Sequence, residues 1–388
     1  MIGEADVMDL WRSGRRKLHV VPGALVTHQA REAADRLGVQ ILDGPPPQPV
    51  VPVTDGAAVL RRSLYRRNPK WIASDKPRGA TPVVFRKLAV VGAGGVGANT
   101  AHLAANASVA HEIVLIDVVP GSAAATALDL EHSVGITGSI SHITGGTALS
   151  LVEGADVVVI TAGRPRQPGM TRADLITVNA RIVRQVGEAI RDHAPQATVI
   201  VVTNPLDEMT MEAFRATGFP RERVIGMAGT LDSSRFRRSL ARAAGVDPAD
   251  VDAFTLGSHG DEMVPIVSQA TIKGRPLPQS LSVGQIADCV ADTVGGGGQV
   301  VALRQTGSAT LAPAHATVEV LDGLRGARAG AIPVSVVLEG EYGIEGTVVG
   351  VPCLLGPNGV IEVVELPLPP SELEALRAAA AAVAARLA

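Results

Sequence analysis

The chain has 388 residues, with 35 Lys+Arg against 38 Asp+Glu and a net charge of −3 at pH 7. That length can bury a large core in two or three domains, and the balanced charge gives no sign of a nucleic acid or an anionic membrane as partner. Its two cysteines, Cys289 and Cys353, lack a CxxC or Cys/His spacing, no run reaches about 18 apolar residues, and no basic-then-apolar leader opens the chain. These features predict no disulfide framework, no zinc site, no membrane span and a reducing cytosol. With only 2% aromatics, the core must come from Val, Leu, Ile and Ala.

Residues 1–86 carry 14 Lys+Arg and 8 Asp+Glu, a net +6 that leaves −9 for the rest. Within them Thr27 caps a predicted helix over 29–37, Gly38 ends it, and 39–42 reads as a strand. Pro45, Pro46, Pro47 and Pro49 predict an extended linker, and 57–67 a basic helix stopped by Pro69. A docking or targeting appendage and a partly disordered tail are both open readings of this segment.

The chain is organised around residues 87–97, KLAVVGAGGVG. A buried parallel strand, 88–91, turns on Gly92, Gly94 and Gly97 in the G-x-G-x-x-G spacing, followed by an Ala-rich helix over 97–107. The first glycine permits a tight turn, the second lets the backbone approach a pyrophosphate, and the third lets helix and strand pack closely. The helix then aims its unpaired N–H groups and dipole at phosphates. A second strand, 113–116, ends in Asp117, whose carboxylate suits the ribose hydroxyls of NAD and would repel the 2′-phosphate of NADP.

Further strands at 157–161, 198–203 and 224–226 alternate with helices such as 175–193, which predicts an α/β doubly wound parallel sheet. From about residue 231 the pattern becomes mixed α+β. A helix is expected near 233–244, strands at 253–256 and 331–338, and hairpin strands at 339–349 and 351–366. Gly295 to Gly298 is expected to break any helix there. The end, 371–388, reads as an amphipathic helix with Ser371 and Glu374 as its capping box and Leu373, Leu376, Val383 and Leu387 on one face.

Chemistry-bearing groups cluster where strands end. The stretch TAGRPRQPGMTRAD places Arg164, Arg166 and Arg172 around a Pro168–Gly169 turn, a loop able to close on an anion with guanidinium forks. A solvated basic loop is the alternative. In VTNPLD, Asn204 ends a strand before a proline, either as a ligand group at the carboxyl edge of the sheet or in an Asx turn with its own backbone. LDSSR and GSHGD supply Asp232, Arg235 and His259. A His between glycines after an apolar strand is poorly placed for a core, and an Asp partner would make it a general acid/base.

These stretches, GAGGVG, LIDVV, ALDLEHS, TAGRPRQPGMTRADL, VTNPLDEM, LDSSRFR, GSHGDEMVP and EGEYG, stand in one order over some three-quarters of the chain. Residues 87–388 thereby resemble the lactate/malate dehydrogenase superfamily, in its lactate-dehydrogenase-like malate branch. The resemblance implies a Rossmann NAD-binding domain over 87–231 and a catalytic, substrate-binding domain over 232–388, with 1–86 as an extension. It implies NAD as cofactor at Gly92, Gly94, Gly95, Val96, Gly97, Asp117, Asn179, Val202 and Asn204, and no metal. His259 would be the proton donor/acceptor, Asp232 its orienting partner, and Arg235 the grip on the C1 carboxylate. Arg172 would polarise the reacting carbonyl, Arg166 would pair the distal carboxylate, and Asn204 would bond the substrate oxygen. Arg166 stands where lactate-specific relatives usually carry Gln, which implies malate/oxaloacetate; lactate or another 2-hydroxy acid is the runner-up, and an NAD-binding scaffold without turnover the reading from another class. A homodimer or homotetramer is implied. Residues 1–86 depart from the family pattern, and 21–42 faintly resembles N-terminal segments of proteins associated with bacterial microcompartments. Ser258 also departs, replacing the more common Gly or Glu.

Overall fold

Seven residues, FRKLAVV, make the strand that opens the main unit; its charged pair, Arg86 and Lys87, stands at the start, and its last four positions, Leu88 to Val91, are buried. The structure, a computed structural model, describes residues 2–12, 16–20, 24–43, 81–165, 171–305 and 307–387. The chain divides into two units, Met1–Leu60 and Arg61–Ala388.

In the first unit α1 (Glu4–Arg12), β1 (Lys17–Val20), α2 (His28–Leu37) and β2 (Gln40–Asp43) follow one another, with β1 and β2 parallel. Thr27 Oγ1 accepts from the Ala30 N–H at 3.2 Å, and Gly38 ends α2 at φ 65°. The predicted cap, helix and stop are therefore present, with each element within a residue of its expected bounds. Val7, Leu10, Ala30, Ala33, Ala34 and Val39 form a small apolar core of their own. The proline-rich linker and the basic helix expected over 57–67 lie outside the described residues.

The second unit begins with β3 (Phe85–Val91), α3 (Gly95–Asn106), β4 (Ala110–Ile116), α4 (Ser122–Thr137), β5 (His142–Gly146) and β6 (Val157–Ile160). It continues through α5 (Arg172–His193), β7 (Thr198–Val201), α6 (Leu206–Thr217) and β8 (Val224–Gly226). All five pairings among these strands are parallel, in the spatial order β8-β7-β6-β3-β4-β5. This is the doubly wound order of a Rossmann fold, in which the chain reverses direction between β3 and β6 and leaves a crevice at their carboxyl ends. The helix expected from 97 starts two residues earlier, because Gly94 takes the extended cap conformation.

Beyond β8 come α7 (Gly229–Ala244), β9 (Val251–Asp252), β10 (Thr255–Gly257), β11 (Met263–Pro265), β12 (Thr271–Ile272) and β13 (Arg275–Pro276). The chain closes with α8 (Val283–Arg304), α9 (Leu311–Arg325), β14 (Ile332–Glu339), β15 (Glu345–Gly356), β16 (Gly359–Val363) and α10 (Pro370–Leu387). Strand β14 pairs antiparallel with β8 through Ser335 and Gly226, so the second half extends the first sheet without a gap.

Three sequence expectations need correction. Gly295 to Gly298 do not break a helix: α8 runs through them for 22 residues, started by a Ser282/Gln285 capping box. A Cβ on Gly296 would sit 3.2 Å from Arg235 Cδ, so this glycine makes room for a side chain of α7, while Gly297 meets the same guanidinium at ordinary contact distance. The hairpin division at residue 350 is also wrong, since β15 is one strand of 12 residues between turns at Glu341–Gly343 and after Gly356. Gly350 is small because β10 pairs with β15 there: a Cβ would lie 2.7 Å from the Gly257 carbonyl oxygen. Finally, Ser371 caps nothing. Pro370 begins α10, where its fixed φ and missing N–H are harmless, and Ser371 falls inside the first turn. The expected apolar face is real: Leu376 and Val383 are buried and Leu373 and Leu387 half-buried.

Candidate active site

The glycine turn lies at the carboxyl end of β3. Gly92 has φ 105°, and a Cβ there would meet the Ala162 nitrogen at 2.6 Å. A Cβ on Gly97 would stand 1.8 Å from the Gly92 carbonyl oxygen, which is why helix and strand can touch only if this position is bare. Above Gly94 there is open space, and α3 begins without a side-chain cap, so no capping side chain takes up the first N–H groups of the helix, which begins Gly95, Val96, Gly97. Thr310, at the start of α9, approaches Gly95 from the second half of the chain. At the end of β4, Asp117 accepts from the Ala93 N–H at 2.7 Å and the Val119 N–H at 2.9 Å, one on each carboxylate oxygen. The carboxylate is thereby fixed beside the turn with lone pairs left for hydroxyl donors. A dinucleotide's pyrophosphate and ribose fit this arrangement. Gly97→Ala should destabilise the fold by about 1–3 kcal/mol or more, since backbone cannot give way as a side chain can. It should also weaken NADH binding, and a denaturant midpoint with a fluorescence titration checks both.

A second group assembles across α7 and the loop after β10. His259 Nδ1 lies 2.8 Å from Asp232 Oδ2, and Arg235 Nη1 lies 2.7 Å from Asp232 Oδ1. Asp232 is 2% exposed, and each of its oxygens serves one cation or ring donor. An ionised Asp232 requires the proton on Nδ1, leaving Nε2 free for chemistry. Burial pushes the imidazolium of His259 toward losing its proton, but the charge and hydrogen bond of Asp232, helped by the charge of Asp207, outweigh burial and the opposing Arg235. The pKa is raised.

The loop holding His259 is fixed by groups that the sequence did not single out. Asp207, in the first turn of α6, accepts the His259 backbone N–H at 2.8 Å on one oxygen and Ser335 Oγ at 2.8 Å on the other. Burial raises its carboxyl pKa, against the lowering effect of hydrogen bonds from Ser335, the His259 N–H and Ser258. Ser233 Oγ accepts from the Thr255 N–H at 2.8 Å, which registers β10 against α7 and thus His259 against Asp232. The only clue in the sequence was the proximity of Asp207 and Ser233 to motif residues.

Arg172 is the first residue of α5, whose capping box of Thr171 and Asp174 sets its place; its guanidinium lies 3.4 Å from Glu208 Oε1. Asn179 is buried and accepts from the Arg164 N–H at 2.8 Å, while its amide donates to the carbonyls of Arg164 and Asn204. It braces the ends of β6 and β7 against each other. Asn204 is exposed at the carboxyl edge of β7, and its side chain makes no hydrogen bond among the described residues, unlike the Asx turn that was the alternative. Val202 is buried beside it, its N–H bonded to Ile160. Arg166 and the Pro168–Gly169 turn lie outside the described residues. Among the described residues no helix is long and apolar enough to cross a membrane, and no group of three or more His, Cys, Asp or Glu could hold a metal ion.

The chain is similar to known proteins over the whole of this region. Residues 86–226 match the family described as lactate/malate dehydrogenase, NAD binding domain, and residues 229–387 match lactate/malate dehydrogenase, alpha/beta C-terminal domain. A malate dehydrogenase of Thioalkalivibrio sulfidiphilus is 44% identical over 288 residues, 74% of this chain and 94% of that protein. The crystal structure of Cryptosporidium parvum malate dehydrogenase superposes with a TM-score of 0.75 at 38% identity, covering 78% of this chain and 98% of that one. The lactate dehydrogenase of the same organism, solved with lactic acid and nicotinamide adenine dinucleotide, gives a TM-score of 0.75 at 36% identity over 79% and 98% of the two chains. With both halves of the family matched in order along one continuous sheet, the chain belongs to the lactate/malate dehydrogenase family.

Proposed function

We propose that this chain is an NAD-dependent malate dehydrogenase interconverting (S)-malate and oxaloacetate. The observation that carries the reading is the His259–Asp232–Arg235 cluster, with contacts of 2.8 and 2.7 Å, in the same unit as the glycine turn. NAD, when bound, supplies the hydride acceptor for C2 of malate and, reduced, the donor to oxaloacetate.

The chain's own groups do the rest. His259 Nε2 takes the hydroxyl proton in oxidation and returns it in reduction, while Asp232 holds the ring and stabilises the imidazolium. Arg235 grips the C1 carboxylate, and Arg172 polarises the reacting carbonyl as charge develops on its oxygen. Asn204 donates its amide to that oxygen, and Arg166 pairs the distal carboxylate. Gly92, Gly94, Gly95, Val96 and Gly97 receive the cofactor's phosphates, and Asp117 its ribose. Asn179, Val202 and the Asn204 backbone bound the nicotinamide side. On this assignment residues 87–231 form the dinucleotide domain and 232–388 the substrate domain.

We assign the enzyme to the cytosol as a homodimer or homotetramer. Leu128 and Ile136 on α4, with Ile140 just beyond it, are exposed apolar side chains that support contact with a second copy. Residues 1–86, with their net +6 charge and small folded unit, are assigned a docking role, with a bacterial microcompartment as the associated body. The functional assignment is tested by following NADH absorbance after adding oxaloacetate to the full chain. Steady consumption is expected; NADH binding without consumption would instead mark a scaffold.

A further inference from the structure

The last turn of α10 sends one guanidinium into three parts of the site. Arg386 Nε donates to Glu208 Oε1 at 2.6 Å, Nη1 to Glu262 Oε1 at 2.8 Å, and Nη2 to Ser258 Oγ at 3.3 Å. Ser258 and Glu262 flank His259 in the chain. Glu208 follows Asp207, the acceptor of the His259 N–H. One arginine near the end of the chain therefore ties α6, the His259 loop and α10 together.

Glu208 is also the group on which Arg172 rests. Its side chain is 1% exposed, and Oε1 receives both Arg386 at 2.6 Å and Arg172 at 3.4 Å. The two contacts differ in kind. The first is a short charge-assisted hydrogen bond, whereas the second is at the outer limit of one. A carboxylate this deeply buried is costly unless a cation stays with it. Were Arg386 absent, Arg172 would be the one remaining partner among the described contacts of Glu208. Holding it there would keep it from a substrate carbonyl.

We infer that Arg386 is a positioning residue: it neutralises Glu208, so that this carboxylate parks Arg172 through one long contact and releases it to the substrate. The inference rests on the proposed role of Arg172 and adds where that guanidinium waits and what lets it go. Arg386 and Glu208 touch neither substrate nor cofactor in this scheme. Their effect is on how readily Arg172 changes partner.

The test compares the full chain with Glu208→Gln, Arg386→Met and the double variant, in steady-state reduction of oxaloacetate by NADH and in NADH titration. Arg386→Met should lower kcat/KM for oxaloacetate by ~10-fold or more, a capture of Arg172 worth that factor in binding and transition-state contact, while NADH affinity stays within about twofold. Glu208→Gln alone should lower KM for oxaloacetate, because nothing charged holds Arg172 back. Adding it to Arg386→Met should recover most of the lost kcat/KM. A merely structural clamp gives the opposite pattern: Glu208→Gln would then lose activity as Arg386→Met does, and that result overturns the inference, as does failure of the double variant to recover. If Arg386→Met does not fold, Glu208→Gln and the double variant, which buries no unpaired carboxylate at 208, decide by the same criteria. Absence of turnover in the unmodified chain would overturn the malate dehydrogenase reading itself. Turnover there with loss in Glu208→Gln overturns only this inference.

Discussion

Arg166→Gln should move the ratio of kcat/KM for oxaloacetate over pyruvate by ~10⁴ toward pyruvate, the largest specificity change expected from any one substitution here. A site built to pair a second carboxylate rejects the analogue lacking it, because its own guanidinium is then desolvated without a partner. Gln removes that charge and leaves an amide compatible with a methyl group, so two changes add: oxaloacetate loses an ion pair and pyruvate loses a penalty. Arg166 lies outside the described residues, so this expectation rests on its place in the TAGRPRQPGMTRAD stretch and on Arg235 being engaged beside His259, where the other carboxylate belongs. Steady-state kinetics with both acids measure it. An unchanged ratio would remove Arg166 from the substrate's distal end.

Asp232→Asn should cost about 10²–10⁴-fold in kcat, the range spanned by a positioned acid or base. Asparagine keeps the shape, but it can present its amide N–H₂ to His259 Nδ1 and stabilise the wrong tautomer. It also removes the charge that raises the His259 pKa, leaving burial to push it down. The consequences for pH follow in sign. Reduction of oxaloacetate needs the imidazolium, so kcat/KM holds below the folded pKa and falls above it; malate oxidation needs the neutral ring and rises through the same pKa. In Asp232→Asn both inflections should move to lower pH. Stability follows the same group. Because the folded pKa is raised, its contribution is complete below the unfolded value of about 6.5 and is lost as pH rises through the folded pKa. The variant should lack this part of the pH dependence of its urea midpoint. Profiles that keep their inflections would show that Asp232 does not set the protonation of His259.

The sequence carried the chemistry further than the packing. Gly92, Gly94 and Gly97 could be read because their G-x-G-x-x-G spacing is local in the chain, although the close approaches that keep Gly92 and Gly97 bare also involve Thr161 and Ala162 from the neighbouring strand end, and Gly94 faces open space. His259, Asp232 and Arg235 were identifiable as a group by residue type and resemblance, although 27 residues separate the His from the Asp and no spacing rule brings them to 2.8 Å. Gly295 to Gly298 misled because glycine's poor helix propensity is a property of isolated chains. In α8 the helix runs on through them, with Arg235 packed closely against Gly296. Gly350 misled in the same way, its cause being the approach of β10 from another part of the chain. The ties of Arg386 to Glu208, across 178 residues, and of Ser335 to Asp207, across 128, had no local signal at all. Both brace the loop or helix from which a chemical group projects, which single-sequence periodicity does not report.

Malate dehydrogenase activity is tested most directly by one comparison: kcat/KM for oxaloacetate and for pyruvate, measured with NADH on the unmodified chain. A preference for oxaloacetate by orders of magnitude is expected from the charge of Arg166, with turnover itself expected from the His259–Asp232–Arg235 cluster. Equal or greater efficiency with pyruvate would contradict the dicarboxylate assignment, and no consumption of NADH with either acid would contradict catalysis itself.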